Sequence, residues 1–297
     1  MTVAETGVLG VGVLYTPALQ ALLHAELDLV DYVEVIPDMA QTDLGAGRSP
    51  RFADVQSWIE MFDWLQARRP LVAHNIGLSI GTAALWDAAY LARLDEWQQR
   101  YRFQWHSDHL SFSQVTGHEG TAHSVGVALP VPYDEESLAL ISERVRVLQQ
   151  RLQVPFLLEN NVYYVEIPEQ DMDEVEFLNR LVQSTGCGLL LDLHNLYTNA
   201  RNHGFSAAAF VDRLDLSAVR EIHIAGGNEL AGMYTDSHAG PCPEPVWELL
   251  ARTAPRAPNL RAITFEFHDS YFPVLGDDGV RRQLTRARDI WASHQVA

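Results

Sequence analysis

The segment from Cys187 to Phe205 joins an apolar run to side chains that can bind metal ions. Leu189 to Leu191 has the length and character of a buried strand, and the carboxylate of Asp192 and the imidazole of His194 follow at once. Oxygen and nitrogen donors at the carboxyl end of a buried strand are typical of a metal site. The segment therefore predicts a strand that ends in a polar loop beside bound metal.

The same combination recurs at the ends of five further apolar segments. The ionisable groups there are His74, then His106, Asp108 and His109, then Glu159, then Glu221 and His223, and finally Glu266 and His268. A single buried histidine is more often a core group with a hydrogen-bond partner than a metal ligand. Burial of this many ionisable groups would cost on the order of several kcal/mol each, so we expect bound divalent or trivalent cations to compensate them.

Strand geometry limits which of these groups can share a site, because residues two apart face the same side of a strand. Asp192 and His194 form one such pair; Glu221 with His223 and Glu266 with His268 form two more. His106 and His109 fall on opposite faces of an ideal strand. We expect His109, which is nearer the carboxyl end, to reach the metal.

Two loop features extend the set of donors. Asn202, His203 and Gly204 follow the sixth apolar segment, and Asp236, Ser237 and His238 follow the seventh. An Asp-x-His pair in a glycine-flanked loop is equally typical of a turn, but its position beside the other donors favours a metal role. Imidazole and oxygen without thiolate suit iron, manganese or a zinc cluster, and the number of donors implies two or three ions.

The elements that must position these residues are eight strands that alternate with eight helices. The predicted strands are Gly7–Leu14, Tyr32–Pro37, Pro70–Ile76, Phe103–His109, Pro155–Asn160, Gly188–His194, Arg220–Ala225 and Ala262–His268. The predicted helices are Pro17–Leu29, Arg51–Arg69, Ala83–Arg100, Asp134–Leu152, Asp171–Ser184, Ala207–Leu214, Pro245–Arg252 and Val280–Ala292.

Eight such units in 297 residues predict an α/β fold, a (β/α)8 TIM barrel in a single domain over residues 1–297, with its chemistry at the carboxyl ends of the strands. A doubly wound sheet is the alternative. Its phosphate-binding Gly-x-Gly-x-x-Gly turn is missing after the first strand, where Gly10 and Gly12 form only a fragment of it. Glycine in this strand favours close packing of the barrel wall.

Charge and composition exclude several kinds of partner. The chain has 21 Lys and Arg against 39 Asp and Glu, a formal charge of -18, and it has no basic stripe, so we expect no nucleic-acid partner. No long apolar segment or charged leader indicates a membrane span or signal peptide, and we expect a cytoplasmic protein. The two cysteines, Cys187 and Cys242, form no disulfide framework.

Several motifs together resemble the multinuclear non-heme iron-dependent oxidative enzymes, a family formerly called domain of unknown function 692. The resemblance spans nearly the whole chain. Its most specific pieces are His74-Asn-Ile-Gly-Leu-Ser-Ile-Gly81, Ser107-Asp-His-Leu-Ser, Leu158-Glu-Asn, Leu191-Asp-Leu-His-Asn-Leu-Tyr197, Asn202-His-Gly-Phe205, Glu221-Ile-His-Ile-Ala-Gly226 and Phe265-Glu-Phe. The family has a TIM barrel related to xylose isomerase, with two or three irons at the strand ends.

The resemblance also implies which residues bind iron. His74, His109 and Glu159 would hold one ion, and Glu159 would bridge to a second, held also by Asp192, His223 and Glu266. Asn195, His203, Asp236 and His238 resemble the ligands of a third ion. The chain departs from the family at Gly227, where many members have histidine, and at His194, where many have asparagine. His194 is thereby predicted to lie beside the ligands or in the substrate pocket.

The resemblance implies an O2-dependent oxidoreductase with a mixed Fe(II)/Fe(III) cluster, active in natural-product (RiPP) biosynthesis. Its substrate would be a residue of a ribosomally synthesised precursor peptide, often presented by a separate leader-peptide-binding partner protein. Two alternatives come from the barrel itself. A divalent-metal sugar isomerase or phosphodiesterase would place similar carboxylates and histidines at the strand ends, and a metal-storage protein would use the same rim without catalysis.

Overall fold

The computed structural model describes residues 7–83, 86–116 and 122–295, which include a closed barrel of eight parallel strands. Strands β1 to β8 span Gly10–Leu14, Tyr32–Val35, Leu71–Asn75, His106–His109, Phe156–Glu159, Gly188–Asp192, Val219–Ile224 and Ala262–Phe265. Each strand pairs with the next along the chain, and β8 closes the barrel on β1, where Gly10 lies opposite Ala262. The predicted TIM barrel is confirmed.

Helices cover the outside of the barrel. Helices α1 to α9 span Gln20–Ala25, Gln56–Gln66, Ala88–Tyr101, Glu135–Leu152, Glu174–Thr185, Leu193–His203, Ala207–Arg213, Glu244–Thr253 and Phe272–Gln295. Residues 84 and 85, which the sequence assigned to the start of the third helix, lie outside the described residues. Within the described part of the chain, no helix is long and apolar enough to cross a membrane.

One predicted loop is a helix. Strand β6 ends at Asp192 rather than at His194, and α6 occupies the segment that was predicted to be a polar loop. The Asp192 side chain caps α6 by accepting hydrogen bonds from the backbone N–H groups of His194 and Asn195, at 2.6 and 2.8 Å. Gly204 ends the helix with a φ of 75°, a conformation that favours glycine. The loop prediction was wrong because both capping signals were overlooked.

The barrel interior consists of an apolar floor and a layer of polar groups above it. The floor contains five strand side chains and Trp105, which directly precedes β4: Tyr32, Val72, Trp105, Leu157, Leu190 and Ala262. Two residues further along the same strands stand Glu34, His74, Ser107, Glu159, Asp192 and Thr264, all of them buried. Because residues two apart face the same side, the alternation that forms the strands also places these polar groups in one layer.

Three short hairpins stand at the carboxyl ends of the strands. They pair Gln41–Asp43 with Phe52–Asp54, Ser111–Thr116 with Ala122–Pro130, and Asn228–Leu230 with Met233–Thr235. The third hairpin leads directly into the loop that carries Asp236 and His238. The hairpins therefore add loop residues to the same end of the barrel as the polar layer.

Gly12 in β1 makes room for the ring of Tyr32 on the barrel floor. A Cβ atom at position 12 would lie 2.6 Å from the Tyr32 ring, whose hydroxyl donates to Glu221 at 3.1 Å. We expect Gly12→Ala to lower the free energy of unfolding by about 1–3 kcal/mol, the usual cost of overpacking a core. Urea denaturation followed by circular dichroism measures this change.

Gly47 provides the matched control. It is exposed, and a Cβ atom there would meet no heavy atom within 4 Å. Gly47→Ala should leave stability unchanged or raise it slightly, because alanine restricts the unfolded chain. Equal effects of the two substitutions would contradict the packing role of Gly12.

Candidate metal centre

Glu159 lies between two imidazoles in the polar layer. It ends β5, and its Oε2 atom is 3.4 Å from Nε2 of His74 and 3.5 Å from Nε2 of His109. His74 comes from β3 and His109 from β4, so neighbouring strands supply all three donors. Glu159 is 2% exposed, and His74 is 4% exposed. The arrangement forms a compact set of one carboxylate and two imidazoles.

A second set shares Glu159 and extends across the barrel mouth. Donor atoms of Glu159, Asp192 and His223 all lie within 4.8 Å of one another. Nδ1 of His223, on β7, is 3.2 Å from Oε2 of Glu266, which directly follows β8. One oxygen of Asp192 caps α6, whereas its Oδ2 atom is buried without a hydrogen-bond partner. Glu159 thus belongs to both sets.

A third set contains Asp236, His238 and His194. Oδ1 of Asp236 is 3.0 Å from Nε2 of His238 and 2.9 Å from Nδ1 of His194. His238 is also 3.8 Å from Oε2 of Glu266, which places this set next to the second one. His194 is the donor that was left out of the ligands predicted from the sequence.

His203 and Asn195, the other residues predicted for the third ion, lie in different surroundings. Nε2 of His203 is 3.0 Å from the backbone oxygen of Tyr163, and its ring stacks on that tyrosine. The structure does not bring His203 to Asp236 and His238. Asn195 donates from Nδ2 to Glu159 at 3.0 Å, and its Oδ1 atom is buried without a partner.

Two other histidines at the strand ends point away from the three sets. His106 lies in β4 and contacts Gln98 of α3 through Nε2 at 3.0 Å, as its position on the opposite face from His109 predicts. His268 is exposed and contacts Ser270. Neither belongs to a group of donors in the described part of the chain.

The donor separations and the unpartnered atoms both fit metal ions. In octahedral or tetrahedral shells with metal–ligand bonds of about 2.0–2.2 Å, adjacent donors are about 2.8–3.6 Å apart. The closest separations in the three sets run from 2.9 to 3.5 Å. The buried atoms without hydrogen-bond partners include Oε2 of Glu159, Oδ2 of Asp192 and Oδ1 of Asn195. Such atoms are costly to bury unless a cation or proton binds them.

Burial shifts the pKa values of His74, His109, Glu159 and Asp192 toward the neutral form of each group. It lowers the pKa of His74 well below its usual value and that of His109 to about 4, so both rings are neutral and free to act as ligands. Burial, with other carboxylates nearby, raises the pKa of Glu159 well above its usual value and that of Asp192 to about 6. A bound cation would favour their ionised forms.

Glu34 contacts the imidazole of His223 directly. Oε2 of Glu34 is 2.9 Å from Nε2 of His223, on the side of the ring opposite Glu266. A carboxylate in this position orients the imidazole and raises its basicity. From the sequence, the position of Glu34 at the end of the second strand predicts a group on the same rim that supports the ligands or the fold. The structure identifies His223 as its partner.

Glu221, which shared a predicted face with His223, belongs to the barrel floor. Its carboxylate accepts hydrogen bonds from Tyr32 at 3.1 Å, Thr264 at 2.7 Å and Trp105 Nε1 at 2.7 Å. These donors satisfy the buried charge from below. Glu221 therefore supports the strand beneath His223.

The chain matches one protein family over most of its length and is similar to several known sequences. The family described as "RiPP precursor modification enzyme MbnB/TglH/ChrH" matches residues 9–290. A "UPF0276 protein" of Caulobacter vibrioides NA1000 is 33% identical over 293 residues, which cover 99% of this chain and 97% of that protein. Another UPF0276 protein, from Bordetella pertussis Tohama I, is 40% identical over 203 residues, 65% of this chain and 68% of that protein.

Solved structures share the barrel at low sequence identity. A D-psicose 3-epimerase from Clostridium cellulolyticum H10 has a TM-score of 0.57 and 12% identity, with 96% of this chain and 98% of that chain covered. A xylose isomerase-like TIM barrel protein from Mycobacterium smegmatis, in complex with magnesium, has a TM-score of 0.54 and 15% identity, with 98% and 100% covered. At these identities the likeness shows the fold alone.

The hydrogen bond from Trp105 to Glu221 can be tested by substitution. We expect Trp105→Phe to remove a hydrogen bond to a buried carboxylate and to cost about 1.5–3 kcal/mol of unfolding free energy beyond the loss of ring volume. Trp97→Phe is the matched control, because Trp97 is 2% exposed and its Nε1 atom has no hydrogen-bond partner. Equal midpoints of urea denaturation for the two variants would contradict this role.

Proposed function

We propose that this chain, which belongs to the MbnB/TglH/ChrH family of RiPP precursor modification enzymes, uses dioxygen and two or three iron ions to oxidise a residue of a precursor peptide. The observation that carries the proposal is Glu159, a buried carboxylate shared by two sets of donors. A shared carboxylate suits neighbouring metal ions, and imidazole with carboxylate suits iron. The family supplies the peptide substrate class.

In this proposal His74, His109 and Glu159 hold one ion, and Glu159, Asp192, His223 and Glu266 hold a second. Asp236 and His238 contribute to a third. The resemblance adds Asn195 and His203 to that third ion. Asn195 lies beside the shared carboxylate, whereas His203 is engaged by Tyr163 in the structure.

When bound, iron ions of this kind would activate dioxygen and act as a Lewis acid toward a substrate thiolate or carboxylate. The residues of the chain position this chemistry. Ser107 lies 2.9 Å from Nδ1 of His74 and orients its ring, while Asn195 holds Glu159. The backbone of α6 holds one oxygen of Asp192, which leaves the other available. The buried layer also excludes water from the reacting groups.

The family supports a peptide substrate, and delivery of that peptide by a second protein is part of the proposal. We propose that a precursor peptide enters at the carboxyl ends of the strands, where the hairpins and loops surround the donors. A separate protein that binds the leader peptide would present it. The excess of acidic residues, with a formal charge of -18, would favour a basic peptide or partner through long-range attraction.

Metal analysis tests the proposed centre. The purified protein, reconstituted with Fe(II) without oxygen, should bind at least two iron ions. Glu159→Gln should weaken both of the first two sites, because they share this carboxylate and its negative charge is lost, whereas Asp236→Asn should mainly affect the third. Glu174→Gln is the control, since Glu174 is a buried carboxyl at the start of α5 outside the donor groups. Inductively coupled plasma mass spectrometry gives the stoichiometry.

A single bound zinc or magnesium ion would contradict this centre, as would equal metal loss from the Glu159 and Asp236 variants. The reaction itself is tested by co-expression with a short peptide encoded beside the gene. We expect an oxygen-dependent mass change in the peptide that the Glu159→Gln variant does not produce. Epimerisation of a ketose without oxygen consumption would instead support the sugar-isomerase alternative.

A further inference from the structure

His194 and Gly227 lie side by side next to the third set of donors. His194 is on the first turn of α6, and Gly227 is at the start of the hairpin after β7. A Cβ atom built on Gly227 would lie 2.8 Å from Nε2 of His194 and 2.2 Å from the backbone oxygen of Thr235. The imidazole of His194 therefore occupies space that a side chain at position 227 would need.

The ring of His194 is held with one nitrogen directed at Asp236. Nδ1 is 2.9 Å from Oδ1 of Asp236, and the ring is completely buried. Nε2, on the side of Gly227, has no hydrogen-bond partner. Asp236 also lies 3.0 Å from Nε2 of His238. Two imidazoles thus converge on one carboxylate oxygen at separations that fit adjacent ligands of one ion, about 2.8–3.6 Å.

His203, the imidazole that the resemblance assigned to this ion, is directed elsewhere. Its Nε2 atom is 3.0 Å from the backbone oxygen of Tyr163, and its Nδ1 atom is 3.3 Å from Glu166. Both ring nitrogens face groups outside the three donor sets. Since α6 separates His194 from His203 by nine positions, or two and a half turns at about 3.6 residues per turn, the two rings emerge on different sides of the helix.

We propose that His194 is an imidazole ligand of the third metal ion in this chain, together with Asp236 and His238, and that His203 is not. The inference rests on the proposed metal centre but not on the reaction. Gly227 is compatible with this assignment. Because glycine has no side chain, the ring of His194, on the helix that follows the sixth strand, has room beside position 227. The competing explanation is that the contact between His194 and Asp236 is purely structural and holds α6 against the loop after the third hairpin.

Paired substitutions distinguish a metal ligand from a purely structural contact. His194→Phe removes both nitrogens and retains a planar ring, whereas His194→Gln retains a side-chain donor for Asp236 without an imidazole. His203→Phe is the matched control, because phenylalanine can keep the stacking on Tyr163. Metal-free protein of each variant is titrated with Fe(II) without oxygen and, separately, with Co(II), whose visible absorption reports its ligands.

We expect wild type and His203→Phe to bind three equivalents. Both His194 variants should bind the third at least about tenfold more weakly, and the visible Co(II) band of that equivalent should change. If His194→Gln still binds three equivalents of metal with unchanged affinity, the proposal is overturned. A lower melting temperature without loss of metal would show that the contact of His194 with Asp236 is purely structural. Loss of the third equivalent from His203→Phe, or its absence from wild type, would also overturn it.

These results are separable from the proposed reaction. If peptide oxidation is not found but the His194 variants still lose the third equivalent, the ligand assignment holds and the reaction is wrong. If the first two equivalents are missing while the third depends on His194, the central sites are wrong and this inference stands. Each outcome therefore decides one of the two proposals.

Discussion

The structure depends on the burial of ionisable groups in one layer of the barrel, above a floor that is apolar except for Glu221 and its hydrogen-bond donors. Glu34, His74, Glu159, Asp192 and His223 are all at most 4% exposed, and several of their polar atoms have no hydrogen-bond partner. Such a layer would oppose folding unless cations or protons compensate it. The main hydrophobic core is formed by buried apolar residues of the strands and the surrounding helices, and a smaller apolar cluster fills the floor of the barrel.

Helix α6 connects the fold to the centre. Asp192 is both the last residue of β6 and the cap of α6, so one carboxylate oxygen fixes the helix while the other faces Glu159 and His223. The first turn of this helix also carries His194 and Asn195. The turn from β6 into α6 therefore sets the positions of Asp192, His194 and Asn195 together. The start of the helix is rigid because its backbone N–H donors have hydrogen-bond partners.

The barrel itself does not specify the chemistry. Solved epimerase and xylose isomerase-like barrels superpose on nearly the whole chain at identities of 12% and 15%. Reaction type is decided by the groups at the strand ends, which vary while the alternation of strand residues is kept. In this chain the donors from adjacent strands share Glu159, and the loop after β7 adds Asp236 and His238. The family that matches residues 9–290 is one of RiPP precursor modification enzymes.

Local sequence patterns were sufficient to predict the eight-stranded barrel and the strand ends that carry donors, because both follow from local alternation and from residues two apart sharing a face. That rule also separated His106, which contacts Gln98, from His109, which lies beside Glu159. The fold was needed to show that His194 lies against Asp236 and that the partner of Glu34 is His223. Those contacts join residues distant in the chain, and their directions depend on helix phase and on neighbouring strands.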